Sequence, residues 1–162
     1  AVGKEAGKSI TTGYGNTAIG SDALELNQTG IYNTAVGLAS LGNTTGDNNT
    51  AVGFGSGAAT TTGTSCVFVG SYAGLSNTTG DNNTIVGRAS LYNNTTGGNN
   101  TALGYGTLLA NTTASNNTAI GYNTLTANTT GGDNTALGKG ALGANTTASN
   151  NVAIGSGCII VK

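Results

Sequence analysis

The side chains that could carry out chemistry are few in this chain and are widely separated. Its 162 residues include no histidine and only two cysteines, Cys66 and Cys158. The lack of histidine excludes Ser/His or Cys/His catalysis and histidine metal sites. If the chain forms a stack of coils, the two cysteines lie ~26 Å apart along the axis, too far for a disulfide. We predict a small core residue at Cys158 and a buried free thiol at Cys66, with a contact between chains as the alternative for Cys66.

The carboxylates also lack the arrangement of a reactive site. Asp22 and Glu25 are the one close pair in the sequence, but a catalytic pair needs a cleft that perturbs its pKa values. Asp47, Asp81 and Asp133 recur in one polar segment, which is a thin ligand set for calcium. The sequence therefore predicts no enzyme activity, no cofactor and no metal site.

Composition excludes two further classes of partner. Only 7% of the residues are charged and the net charge is −1, too small to attract nucleic acid or an anionic membrane surface. No apolar run approaches the ~20 residues that span a bilayer. We expect neither nucleic-acid binding nor membrane insertion.

A short repeat organises the chain. The stretch Asn117-Thr-Ala-Ile-Gly-Tyr-Asn-Thr-Leu-Thr-Ala-Asn-Thr-Thr-Gly-Gly-Asp133 is one unit of 17 residues, and its glycine recurs at intervals of 17, 17, 16 and then six times 17 from Gly3 to Gly155. A fixed short period is typical of repeat architectures. We number positions from the first Asn of this unit. Residues 1–15 keep the glycine but little else and are predicted to be an atypical end coil. Residues 16–157 are the repeat domain, and 158–162 form a cap or begin another element. Since the chain opens within a repeat, we expect it to be a segment of a longer protein.

Four positions of the unit conserve their residue type along the chain. Position four is aliphatic, and we predict that it fills the core: Ile19, Val36, Val52, Val69, Val86, Leu103, Ile120, Leu137 and Ile154. Position three is mostly alanine, and we predict that it faces sister chains: Ala18, Ala35, Ala51, Ala102, Ala119, Ala136 and Ala153. Position one is predicted to form an asparagine ladder along the axis: Asn16, Asn33, Asn49, Asn83, Asn100, Asn117, Asn134 and Asn151. Position five is always glycine and is predicted to form a corner.

The repeat predicts an all-β fold. Residues rich in Thr, Asn and Gly are poor helix formers, and the apolar spacing does not match a helix. We predict a parallel β-solenoid, or β-roll, of about ten coils. Each coil has two short strands, one at positions two to four and one running through position nine. Repeated Asn-Thr-Thr segments, including those at Asn77 and Asn111, are interpreted as turns rather than as glycosylation sites.

The alanine positions suggest that one chain is not enough. Adjacent strand residues face opposite sides, so one of positions three and four must face outward. A coil of this size encloses little volume, and burial of the outward residues against other copies would compensate. We expect a homo-oligomer, with a trimer as the natural closed count. The alternative is a monomer whose alanines pack inside a flattened roll.

Residues 16–157 resemble a known class of repeat. Runs such as Asn134-Thr-Ala-Leu-Gly-Lys-Gly-Ala-Leu-Gly-Ala-Asn-Thr-Thr are similar to the head repeats of trimeric autotransporter adhesins and to the 17-residue repeats of phage tail fibres. The resemblance implies a trimer of left-handed parallel β-rolls exposed on a cell or virion. The short coil at 33–48, Cys66 in an asparagine position, and the coil at 49–65 without Asn in its loop depart from the pattern.

These expectations favour a structural role. The leading hypothesis is a fibre or stalk segment of a surface-exposed trimer with an attachment role, extracellular on a cell or virion, with a host-surface receptor or glycan as a possible partner. The alternatives are a self-assembling extracellular filament that stacks end to end and an ice- or glycan-binding solenoid.

Overall fold

A computed structural model describes residues 1–159 and shows a parallel β-solenoid. Its nine three-residue strands are β1 (Thr17–Ile19), β2 (Thr34–Val36), β3 (Thr50–Val52), β4 (Val67–Val69), β5 (Thr84–Val86), β6 (Thr101–Leu103), β7 (Thr118–Ile120), β8 (Thr135–Leu137) and β9 (Val152–Ile154). They form one sheet in sequence order, and every neighbouring pair is parallel. The predicted all-β solenoid is confirmed, with eight to nine turns described.

The sheet stays in register because each coil repeats the same donors and acceptors. The Thr118 N–H donates to the Asn134 carbonyl, and the Gly121 N–H donates to the Leu103 carbonyl, each at 2.8 Å. Equivalent residues pair directly, as Ala119 does with Ala136. The repeated donors and acceptors therefore extend one sheet without a change of register, even across the 16-residue coil at 33–48.

The glycine at position five forms the predicted corner. Gly121 has a φ of 134°, a region that side chains rarely adopt. A Cβ on it would lie 2.8 Å from the Gly138 carbonyl group of the next coil. Both the turn and the close approach of neighbouring coils require glycine here.

The second strand predicted for each coil does not form in the described residues. Positions seven and nine are left-handed: Asn123 has a φ of 50° and Leu125 a φ of 50°. A backbone with two left-handed residues this close together cannot be extended. This segment instead turns around the interior and brings Leu125, which is fully buried, across from the sheet.

The core uses a small set of positions. It contains the alanine positions of the strands, a small residue at position eight such as Ala23 or Ala141, and the leucines of position nine. Phe68 and Ile85 replace alanine at position three and are also fully buried. The interior is therefore narrow, with alanine on the sheet side and leucine opposite.

Phe68 fits because two leucines are missing beside it. Position nine is Gly57 in the preceding coil and Gly74 in its own. A Cβ on Gly57 would lie 2.7 Å from Phe68 Cδ2, and a Cβ on Gly74 would also collide with the ring. The aromatic ring thus occupies the volume that leucine side chains fill in other coils.

The ends of the repeat domain differ in how far they are described. Residues 1–15 form turns, and an isolated bridge between Val2 and Ile19 joins them to the sheet. At the other end, the Leu142 N–H donates to the Cys158 carbonyl at 2.8 Å. The predicted cap at 158–162 extends to residues 160–162, which lie outside the described residues.

Candidate functional surfaces

The two apolar positions of the strand face the opposite way from the prediction. Ala119 is fully buried, whereas Ile120 is only partly buried. The same holds along the sheet, where every strand has its middle residue buried. The alternation of side chains along a strand predicts that positions three and four face opposite sides, but it does not predict which of them lies inside. In the structure the inner residue is position three, which is alanine in most coils and faces the buried residue of position nine.

The alanine positions therefore cannot contact a sister chain. This correction applies to Ala18, Ala35, Ala51, Ala102, Ala119, Ala136 and Ala153, all of which are 0–2% exposed.

The predicted core positions instead form an exposed aliphatic column along the sheet. Ile19, Val52, Leu103 and Leu137 are 40–44% exposed, and Ile154 is 67% exposed. The column comprises Ile19, Val36, Val52, Val69, Val86, Leu103, Ile120, Leu137 and Ile154, and successive members pair in register. Val36, Val69, Val86 and Ile120 are partly buried, and the column as a whole is a candidate interaction surface.

The asparagines of position one line the interior, but they bond mainly to backbone groups. Asn117 Oδ1 accepts from the Asn134 N–H at 3.0 Å, and Asn117 Nδ2 donates to the Gly131 carbonyl at 3.0 Å. The same pattern recurs at Asn16, Asn33, Asn49, Asn83, Asn100 and Asn134. Each of these side chains thus ties one coil to the next, and the Asn151 N–H is the last donor to the ladder in the described residues. The predicted direct side-chain bonds between neighbouring asparagines occur at Asn100 with Asn83 and at Asn151 with Asn134.

Cys66 takes the place of one asparagine in this ladder. Its Sγ accepts from the Asn83 N–H at 3.4 Å and donates to the Gly80 carbonyl at 3.2 Å. Burial raises the pKa of the thiol to about 11. The predicted buried free thiol is confirmed, and the chemistry of a nucleophilic thiolate is suppressed here. Cys158 is also free and is partly buried against the core.

A second asparagine ladder, missed in the sequence, occupies position twelve. Asn111 Nδ2 donates to Asn94 Oδ1 at 2.9 Å, and Asn128 Nδ2 donates to Asn111 Oδ1 at 3.1 Å. Asn77, Asn94, Asn111 and Asn128 are fully buried, so the sequons at Asn77 and Asn111 are turn residues with inaccessible side chains. The signal was present, because asparagine recurs at position twelve in six coils.

Two neighbouring threonines interrupt the second ladder. Thr44 and Thr60 stand at position twelve in the coils at 33–48 and 49–65, which depart from the repeat pattern. Both hydroxyl groups are buried without a hydrogen-bond partner. Because Thr lacks the second polar atom and the reach of Asn, the column of amide hydrogen bonds does not pass through these coils.

Three of the six acidic side chains gather at the first coils, where a lysine pairs with two of them. Oxygens of Glu5, Asp22 and Glu25 lie within 4.8 Å of one another. Lys8 Nζ lies 3.0 Å from Glu5 and 3.2 Å from Glu25. The hydrogen bond from Lys8 holds the pKa of Glu5 below its usual value, and the same bond raises the pKa of Lys8. An exposed cluster that already binds an ammonium group is a surface ion-pair network.

Exposed aromatic rings lie next to one another on neighbouring coils. Tyr105 and Tyr122, both at position six, stack with centroids 5.3 Å apart and an angle of 12° between their planes. Phe54 and Tyr72 meet edge to face at 4.9 Å. The Tyr105–Tyr122 pair differs from the others because a cation lies beside each ring, Arg88 at 5.6 Å and Lys139 at 6.0 Å.

One open hollow of about 390 Å³ lies against the last described coil, between Leu142, Asn145 and Ile159. None of the described residues that line it is charged. Within residues 1–159, no helix is long and apolar enough to cross a membrane.

The fold defines the class: this is a β-solenoid repeat protein with one exposed apolar column and two internal amide ladders. No protein-family model, curated protein or solved structure matches the chain. Its resemblance to fibre and adhesin repeats therefore rests on the sequence motifs alone.

Proposed function

We propose that the protein is a fibre or stalk segment of a homotrimer displayed outside a cell or on a virion, where it has an attachment role. The observation that carries the proposal is the aliphatic column on the outside of the sheet. Side chains such as Leu103 and Leu137 are each 43% exposed in one chain. Burial of this strip against identical strips of other copies would stabilise the assembly by roughly 25 cal/mol per Å² of apolar surface removed from water.

The regular spacing of the column suits a partner with the same spacing. Its members lie on adjacent in-register strands, about 4.8 Å apart along the axis. A second copy presents the same spacing, so every rung meets an equivalent rung. A closed ring of three copies buries all columns around one axis. The motif resemblance supports this count and the extracellular setting.

The test is a mass measurement in solution with a matched pair of substitutions. Leu103→Glu places a carboxylate in the column, whereas Leu26→Glu makes the same change at a leucine that is 46% exposed outside the strands. We expect trimers for the wild type and the Leu26→Glu variant, and monomers for the Leu103→Glu variant. A desolvated unpaired carboxylate costs several kcal/mol.

Other outcomes contradict the proposal. A monomeric wild-type protein refutes the trimer, and equal dissociation by both substitutions refutes the assignment of the interface. Long filaments in electron micrographs would instead support the end-to-end assembly considered as an alternative.

One observation favours ice binding as a second candidate. The threonines of position two and the aliphatic residues of position four face outward together, since only the middle residue of each strand is buried. They form two parallel columns of hydroxyl-bearing and apolar groups on one regular sheet. This candidate requires the face to be free, so a monomer that lowers the freezing point below the melting point supports it. A trimer without that activity excludes it.

A further inference from the structure

We propose that Arg88, Tyr105, Tyr122 and Lys139 form a binding site for a linear carboxylated polysaccharide lying along the solenoid axis. These four residues, called here the cation–tyrosine row, occupy position six of four successive coils. The row spans three coil spacings, about 14 Å. It lies within a single chain, but its role in attachment rests on the fibre function proposed above.

The row is an ordered array rather than a set of free side chains. The guanidinium of Arg88 lies over the Tyr105 ring at 5.6 Å, and its Nη1 donates to the Tyr105 hydroxyl at 3.3 Å. Tyr105 stacks on Tyr122, and the Lys139 ammonium lies 6.0 Å from the Tyr122 ring. Cation–π contacts at exposed sites contribute about 0.5–1 kcal/mol each. The conformational entropy of these side chains is therefore partly lost before a ligand binds, which lowers the cost of binding.

The charge of this part of the chain is complementary to an anion. From residue 83 to residue 159 the charged side chains are Arg88, Asp133 and Lys139. Asp133 is at position seventeen, next to the asparagine ladder, and accepts from Asn116 Nδ2 at 3.1 Å. Both cations of this half thus belong to the row, one at each end, and the carboxylate does not.

The exposed parts of the row are polar, which selects the kind of anion. Tyr105 and Tyr122 are 43% and 51% exposed, but their stacked faces are covered by each other and by the two cations. Ring edges and hydroxyl groups therefore face a ligand. A chain rich in hydroxyl groups, with carboxylates at intervals, matches a line of guanidinium, two phenols and ammonium better than an apolar peptide does. Arg88 also offers a planar fork for a carboxylate.

The row is separated from the proposed trimer interface by the glycine corner. Gly104, with a φ of 128°, lies between Leu103 of the aliphatic column and Tyr105 of the row. The strand ends at Leu103, so the row lies outside the sheet. Binding along the row and assembly through the column use different surfaces.

The experiment measures binding of polygalacturonate oligomers by calorimetry, with their methyl esters as the neutral counterpart. Arg88→Gln and Lys139→Gln remove one charge each from the row, and Tyr122→Phe removes one hydroxyl but keeps the stack. Lys4→Gln is the matched control, because Lys4 is exposed at position six of the first coil. We expect the acid form to bind and the ester not to bind. Affinity should fall about tenfold for each charge variant, the loss expected for a hydrogen bond to a charged group, and less for Tyr122→Phe. It should not change for Lys4→Gln.

Three results overturn this assignment. They are the absence of binding, an equal loss of affinity for Lys4→Gln, and equally tight binding of inorganic polyphosphate of the same charge, which would indicate attraction to any polyanion. The Leu103→Glu variant separates the two proposals, because it should lose assembly but keep the affinity per chain. If the wild type forms trimers but does not bind polygalacturonate, only the binding site is refuted. If the wild type binds it as a monomer, only the proposed fibre is refuted.

Discussion

Phe68→Ala should be among the most destabilising single substitutions in the chain. The ring is fully buried and fills the space left by Gly57 and Gly74. Deletion of a buried Phe side chain typically reduces the free energy of unfolding by about 3–5 kcal/mol, with the upper values where the cavity cannot collapse. Collapse is limited here, because the neighbouring coils are held by backbone hydrogen bonds on both sides. The matched control is Phe54→Ala, which removes the same atoms from a side chain that is 44% exposed.

A double-mutant cycle tests the reason for this loss. Gly57→Leu alone should destabilise by about 1–3 kcal/mol through overpacking, since its Cβ would lie 2.7 Å from Phe68 Cδ2. In the Phe68→Ala background the same leucine should fill the cavity and recover stability. The backbone already permits it: Gly57 has a φ of 59°, close to the 47° of Leu41 at the same position.

Urea unfolding at one fixed protein concentration measures all four members of the cycle. We expect the double variant to be more stable than Phe68→Ala alone, with a coupling energy of about 1–3 kcal/mol. Additive effects within about 0.5 kcal/mol would show that the glycine and the phenylalanine do not share one volume, and the reasoning would fail.

Three further predictions concern the interior and its edge. Asn111→Ala should lower the free energy of unfolding by about 2–4 kcal/mol, because it leaves polar groups of Asn94 and Asn128 unpaired. The control, Asn93→Ala on the exposed face, should change it by less than about 0.5 kcal/mol. Equal values from chemical denaturation would contradict the second ladder. The Cys66 thiol should resist alkylation in the folded protein at pH 8, and rapid labelling without denaturant would refute its burial. Because burial raises its pKa from 9.0 to about 11, its contribution to the free energy of unfolding should be constant below pH 9 and fall between pH 9 and 11. The wild type should therefore lose more stability over this pH range than Cys66→Ser does. Ala119→Glu should prevent folding of the single chain, because the Ala119 side chain points inward, whereas Asp133→Asn should have little effect. If circular dichroism shows that the Ala119→Glu chain is folded, the assignment of the alanines to the interior is wrong.

The sequence predicted the solenoid because the period is itself a structural property. After each coil of about 17 residues the chain returns to the same side of the stack and runs in the same direction. The backbone N–H of position two, as at Thr118, then meets the carbonyl of position one in the next coil, as at Asn134. A short fixed period therefore implies a parallel sheet. The corner at Gly121 could also be predicted, since an invariant glycine in every coil indicates a backbone that other residues cannot adopt. These features depend on spacing and on backbone geometry, which the order of residue types reveals directly.

The second strand and the two faces could not be predicted in the same way. Leucine does not indicate a left-handed backbone, so Leu125 looked like a strand residue. The left-handed conformation costs roughly 1–2 kcal/mol per residue, and here it is maintained by burial of the leucine and by the hydrogen bond from its N–H to Ala141 at 3.0 Å. Alternation, in turn, separates Ala119 from Ile120 but gives no direction.

The exceptions to the repeat nevertheless indicate which of the two positions faces the interior. Position three departs from alanine at Phe68 and Ile85, and position nine loses leucine at Gly57 and Gly74. Larger residues at one position accompany smaller residues at the other within two or three coils, as expected for side chains that share one enclosed volume. Position four shows no such compensation, because it remains Val, Ile or Leu whatever residue occupies position nine. An interior position of a narrow coil is constrained by what lies across from it, whereas an outward position is constrained by what binds the surface. The variable alanine position is therefore evidence for a core, and the uniform aliphatic column is the surface that we propose as the interface between copies.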